Sequence, residues 1–165
     1  MPRALLAIGL ALGLAGCATL PKPAQNSTPP APAPLDRSAV MVLTATDMLG
    51  QPYRFGGAAP GGFDCSGLVV YAASAAGIRM PRTTQEQRQT GVPVSRRQLQ
   101  PGDLVFMRLA HKELHVGIAI DGERFIHAPS TGGRVRIDSL AAAPYFNRFL
   151  EARRITGGAG DPPGG

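Results

Sequence analysis

The chain has 165 residues, which leaves room for one domain. Its formal net charge is +6, but the arginine pairs Arg96-Arg97 and Arg153-Arg154 are too short to mark a nucleic-acid site. With only 2 cysteines, a disulfide-knit scaffold is not expected.

The N-terminus opens with Met1-Pro2-Arg3 and then an apolar run from Ala4 to Ala15, interrupted only by glycine. A mature membrane-spanning helix takes about 20 residues, so this shorter run reads as the charged and apolar parts of a secretion signal. It ends in Leu14-Ala15-Gly16-Cys17, which resembles the bacterial lipobox. The resemblance implies cleavage before Cys17 and acylation of that cysteine, with residues 1–16 as signal peptide. Ala18 rather than aspartate then favours the outer membrane, with the protein facing the periplasm. Export argues against any encounter with nucleic acid, and a basic surface suits the anionic wall and lipid headgroups. Lipidation of Cys17 leaves Cys65 as a solitary thiol. Residues 17–35 carry Pro21, Pro23, Pro29, Pro30, Pro32 and Pro34 among small residues, the composition of an extended tether at about 3 Å per residue. Ordinary signal cleavage and a proline-rich binding motif are the weaker alternatives.

A catalytic-size domain is expected over 36–156. Asp36-Arg37-Ser38 predicts the cap of a helix running to about Met48, with Ala39, Val40, Leu43 and Met48 inward and Gly50 as its stop. Gln51-Pro52-Tyr53 leads to Gly61-Gly62-Phe63-Asp64-Cys65-Ser66-Gly67, a glycine-rich turn feeding an alanine-rich helix. Asp64 is the expected N-cap and Gly77 the left-handed stop. Leu68, Val69, Ala72, Ala73 and Ala76 recur at helical spacing, so one face is buried and its core begins at Leu68. Cys65 then falls in the first turn, where free N–H groups and the helix dipole favour thiolate. A small core cysteine is the bland alternative, but the position ahead of the apolar face favours a nucleophile. Past Pro81-Arg82, Thr83-Thr84-Gln85-Glu86 reads as a capping box opening a short polar helix that ends at Gly91. Arg82 is a candidate contact for an anionic group.

From Pro101 the pattern turns to strands: Leu104–Met107, the run from His115 to Ile120, Arg124–His127, Val135–Ile137 and Phe149–Ile155. Helices followed by a strand meander predict an α+β domain with N-terminal helices packed on an antiparallel sheet. A cysteine nucleophile needs a base and something to orient it. Asp121-Gly122 is a hairpin signal between His115 and His127. A two-residue turn would pair 116 with 127 and set the histidines on opposite faces. A three-residue loop, Ile120-Asp121-Gly122 with Gly122 left-handed, pairs 119 with 123 and 115 with 127, putting both rings on one face. Cooperation requires the second. His111-Lys112-Glu113-Leu114-His115 lacks the glutamate that must directly follow the first histidine of a zinc-peptidase helix, so no metal is expected and His111 reads as a loop residue near the cleft rim. Residues 157–165 read as a disordered tail.

Tyr53-Arg54-Phe55-Gly56-Gly57, Phe63-Asp64-Cys65-Ser66-Gly67-Leu68, Pro81-Arg82-Thr83-Thr84, Pro101-Gly102-Asp103-Leu104-Val105-Phe106, His115-Val116-Gly117-Ile118 and His127-Ala128 occur in that order. The series resembles the NlpC/P60 family of cell-wall cysteine peptidases, across about Leu49 to Ile155. What the resemblance implies is a papain-like fold and hydrolysis of amide bonds in peptidoglycan stem peptides or their cross-links. It implies Cys65 as nucleophile, His115 as base and His127 as the orienting third residue. Tyr53 matches a position tied to the oxyanion or substrate, and Asp64 and Ser66 match positions lining the substrate cleft. Phe55 departs from the family's usual tryptophan. No cofactor is implied. A non-catalytic envelope-binding lipoprotein and a thiol acyltransferase are the alternatives.

Overall fold

In the computed structural model the described residues are 36–109, 113–131 and 133–155. The expected signal, the Cys17 lipidation site, the tether, His111 and the C-terminal tail all lie outside them.

Helix α1 spans Arg37–Asp47, with the Asp36 carboxylate accepting from the Ser38 N–H. Its buried residues are Met41 and Ala45, whereas Leu43 is 64% exposed, so the expected inward stripe is wrong at Leu43. Residues 39–43 are all apolar, so periodicity alone leaves the stripe's phase open, and packing decides it. A two-strand hairpin, β1 (Ala58–Ala59) and β2 (Gly62–Phe63), leads into α2 (Cys65–Ala75). Gly77 at φ +70° and the Ile78 N–H bonded to the Ala73 carbonyl close α2 as predicted. The helix α3, Thr84–Gln87, carries the capping box but stops a turn short of Gly91.

Six strands follow: β3 (Val92–Val94), β4 (Leu104–Arg108), β5 (Leu114–Ala119), β6 (Arg124–His127), β7 (Arg136–Ser139) and β8 (Phe149–Arg154). They form one antiparallel sheet in the order β3-β8-β4-β5-β6-β7. The expected meander therefore holds from β4 to β7, and the last strand breaks it by inserting between β3 and β4. That insertion is secured by Arg154, whose Nε and Nη2 donate to the two carboxylate oxygens of buried Asp103, both at 2.8 Å.

The sheet is buried on both faces. Leu104, Phe106, Val116, Ile118 and Ile126 pack with Leu68, Val69, Ala72 and Ala73 of α2 and with Met41 and Ala45 of α1. Val105, Met107, Ala119, Phe125 and Ala152 pack on the other side with Leu140 and Tyr145. Two covered faces explain why β4 reads as an unbroken apolar run.

Candidate active site

Cys65 is the first residue of α2. The Asp64 side chain caps the helix, accepting from the Gly67 N–H at 2.7 Å, as the sequence predicts. The buried surface of α2 begins earlier than expected, at Ser66 and Gly67. Gly67 sits so near the glycine-rich approach that a Cβ there would overlap the Gly57 carbonyl oxygen. Glycine is therefore what lets the helix start dock onto the preceding turn and hold Cys65 in place.

The sulfur borders a groove of about 430 Å³ shared with Tyr53, Phe55, Asp64, Ser66 and Thr84. The Thr84 hydroxyl lies 3.6 Å from Sγ, and the Val116 backbone amide is near enough to favour its charged form. Because Val116 follows His115, α2 meets the sheet at the strand that carries the candidate base. Burial pushes the Cys65 thiol above its ordinary value, with the Asp64 carboxylate adding to the effect. Hydrogen bonds from Thr84, Val116 and Ser66 offset only part of that. The expectation that the helix start favours thiolate is thus opposed in the resting site by desolvation, which outweighs the hydrogen bonds to sulfur.

Asp64 and Ser66 line the groove, but the carboxylate is fully engaged. Oδ1 accepts from Gly67 N–H, Ser66 Oγ–H and Arg82 Nη1, while Oδ2 accepts from Gly56 N–H and Arg82 Nη2. Burial would raise the Asp64 carboxyl, yet the Arg82 and Gly67 bonds overcome it and keep it below the usual range. Arg82 also donates to Ser66 Oγ at 2.8 Å. Tyr53 borders the same groove, its hydroxyl pushed up by burial and by the neighbouring Cys65, Asp64 and Glu113.

His115 and His127 are brought together by a register the sequence reading did not anticipate. Ile118 pairs with Ile126 and Ala119 with Phe125, so 117 rather than 115 faces 127, and the expected pairing is off by two. The loop is Asp121-Gly122-Glu123, and Gly122 is not left-handed. Asp121 explains the difference: its Oδ1 accepts from the N–H groups of Glu123 and Arg124, a side-chain turn that needs no positive φ. A two-residue slip preserves the face, and the two rings still meet, His115 Nε2 to His127 Nδ1 at 2.7 Å. Gly117 makes the diagonal approach possible, since a Cβ there would press on Phe125 and His127.

Two residues absent from the sequence reading complete the site. Asp138 on β7 lies 2.9 Å from His127 Nε2 through Oδ2, and the same oxygen accepts from Arg136 Nε at 2.8 Å. The second is Gln87, which is fully buried; its Nε2 donates to the carbonyls of Ser66 and Pro81, tying α3 to the start of α2. An aspartate in a strand and a glutamine in a polar helix carry no local signal of such roles. Burial holds both histidines far below their ordinary range and so neutral, with His127 and Arg136 adding to the effect at His115.

A family model described as NlpC/P60 family matches residues 50–154. Over 152 residues the chain is 37% identical to an Escherichia coli protein named "Probable endopeptidase NlpC", a match covering 88% of this chain and 94% of that protein. It is 41% identical over 113 residues to Escherichia coli "Murein DD-endopeptidase MepH", covering 65% of this chain and only 42% of that longer relative. A Staphylococcus aureus crystal structure, described as similar to lipoprotein of the NLP/P60 family, superposes with a TM-score of 0.68 at 32% identity. That superposition covers 79% of this chain and 45% of the other.

Proposed function

The chain belongs to the NlpC/P60 family, and from that premise we propose that it is a peptidoglycan hydrolase. In this reading it cuts amide bonds of murein stem peptides, or of the cross-links between them, through an acyl-enzyme on Cys65. The observation that carries the reading is a free thiol at the start of a fixed helix, open to a groove, on a helix packed against β5, whose His115 is hydrogen-bonded to His127 of the neighbouring strand. Relatives named as murein endopeptidases support the substrate class.

In this reading a resting thiol is paired with a neutral imidazole. His115 takes the Cys65 proton as sulfur attacks the carbonyl carbon, so the thiolate exists only as it reacts. N–H groups at the start of α2, with the Tyr53 hydroxyl, receive the charge that develops on the carbonyl oxygen. The C–N bond breaks and His115 returns its proton to the leaving amine. Water, deprotonated by His115, then attacks the thioester and releases a carboxylate and the restored thiol. His127 holds the His115 ring throughout. Asp64 and Ser66, clamped by Arg82, shape the groove floor and fix the helix start.

Incubating purified protein with isolated peptidoglycan and identifying products by mass spectrometry tests this reading. New stem-peptide fragments are expected from the wild type and not from Cys65→Ala. Anchoring through an acylated Cys17, at the periplasmic face of the outer membrane, completes the proposal. Labelled palmitate is expected to enter the wild type and not Cys17→Ala.

A further inference from the structure

We propose that Asp138 is a positioning residue for this reaction: through His127 it dictates which nitrogen of His115 carries the proton. The proposal rests on the functional reading above for its kinetic consequence, but its physical content stands on a chain of three groups. Asp138 Oδ2 lies 2.9 Å from His127 Nε2, and His127 Nδ1 lies 2.7 Å from His115 Nε2. The rings are 0% and 3% exposed for His127 and His115, so water does not compete for these contacts.

Proton assignments along the chain are forced. A carboxylate only accepts, so His127 Nε2 must carry hydrogen. A neutral imidazole has one ring proton, which leaves His127 Nδ1 with a lone pair that must accept from His115 Nε2–H. His115 Nδ1 is then the bare nitrogen, the only one of the four able to take the Cys65 proton. Without the carboxylate the opposite order makes an equally good bond between the rings, with His127 Nδ1–H donating to His115 Nε2. In that order His115 Nδ1 carries hydrogen and cannot act as a base. Of the two orders, only the one set by Asp138 leaves a catalyst.

The surroundings hold Asp138 ionised and aimed. Arg136 Nε donates to the oxygen that faces His127, and Tyr145, which receives a bond from Arg136 Nη2 at 3.3 Å, lies close enough to the carboxylate to favour its charged form. Burial would raise the Asp138 carboxyl, yet the bonds from Arg136, His127 and Tyr145 keep it below its ordinary value. Phe125 and Tyr145 meet the His127 ring through ring–ring contacts, at centroid distances of 4.7 and 5.4 Å. The placement follows from strand register, since Arg136 pairs with His127 and Asp138 with Phe125 on the same sheet face.

Nitrogen-15 NMR of the full chain, with labelled histidine at neutral pH, reads the tautomers directly and needs no substrate. Both His127 and His115 are expected as Nε2–H forms in the wild type; an Nδ1–H form of either overturns the proposal, whatever the variants do. In Asp138→Ala the Nδ1–H forms are expected to appear in both rings. Its kcat on peptidoglycan should fall about tenfold or more with KM little changed, as for loss of a correctly protonated base. In Asp138→Asn, Arg136 keeps the oxygen turned toward His127, so the wild-type tautomers and most of the rate should return. Unchanged tautomers in a folded Asp138→Ala protein, or equal losses in the alanine and asparagine variants, overturn the assignment in favour of a packing role. If the wild type itself leaves peptidoglycan intact, the functional reading fails while the tautomer result still decides the role of Asp138.

Discussion

At the scale of single residues, the site is built on groups kept neutral until they react. Cys65 is held as thiol by burial despite its place at a helix start, and His115 is held neutral by the same burial. In the proposed mechanism nucleophilicity therefore comes from proton transfer to His115 rather than from a resting thiolate. One consequence is measurable without substrate: the rate of Cys65 alkylation by iodoacetamide should rise with pH through an inflection above the free-thiol value of 9.0. An inflection near neutrality would mean that the helix start does prevail over desolvation. Asp64 has the opposite character. It is charged but fully bonded, so it acts as a strut between the glycine-rich turn, Arg82 and the start of α2, and offers the groove no free acceptor.

Among the elements, α2 and the β5–β6 hairpin decide whether the site exists. Replacing Gly67 by alanine forces a Cβ against the Gly57 carbonyl, and overpacking of this kind costs about 1–3 kcal/mol. A lowered melting temperature is expected, with activity lost beyond what the lost stability explains because Cys65 shifts with the helix. Much of α2 was legible because its signals are local: a capping aspartate, an apolar stripe and a left-handed glycine. The hairpin was legible in its face but not its register, because the Asp121 side chain builds a turn that backbone rules assign to glycine. The stripe of α1 was misread at Leu43 since an all-apolar run has no phase of its own. Asp138 could not be read at all. Its role depends on the β6–β7 register and on a contact to a ring on another strand, neither of which leaves a trace in local sequence.

For the whole molecule, the insertion of β8 between β3 and β4 ties the C-terminal strand to the middle of the chain. Asp103 is 1% exposed and bound by two donors of Arg154, so Arg154→Met leaves a buried carboxylate without its cation. Breaking a fully buried pair costs about 3–5 kcal/mol; Arg154 is 32% exposed and Asp103 keeps the Gln100 N–H, so a smaller loss is expected, read as a fall in the denaturant midpoint. Acid sensitivity is a second global consequence. His115 is pushed down to about 3 and His127 to about 4, against about 6.5 in an unfolded chain. Between those limits the unfolded state binds more protons, so stability is greatest above about 6.5 and declines as pH falls below it. Calorimetry should show the melting temperature already dropping between pH 6.5 and 5, above the range where carboxylates titrate, and a flatter profile when both histidines are replaced by glutamine. The central claim, however, is that a stem-peptide acyl group passes through Cys65. Quenching the protein in acid during turnover of peptidoglycan and measuring its intact mass tests that most directly. The account predicts an adduct that maps to Cys65 and is released by hydroxylamine. Product formation with no adduct on Cys65, together with full activity of Cys65→Ala, would contradict it.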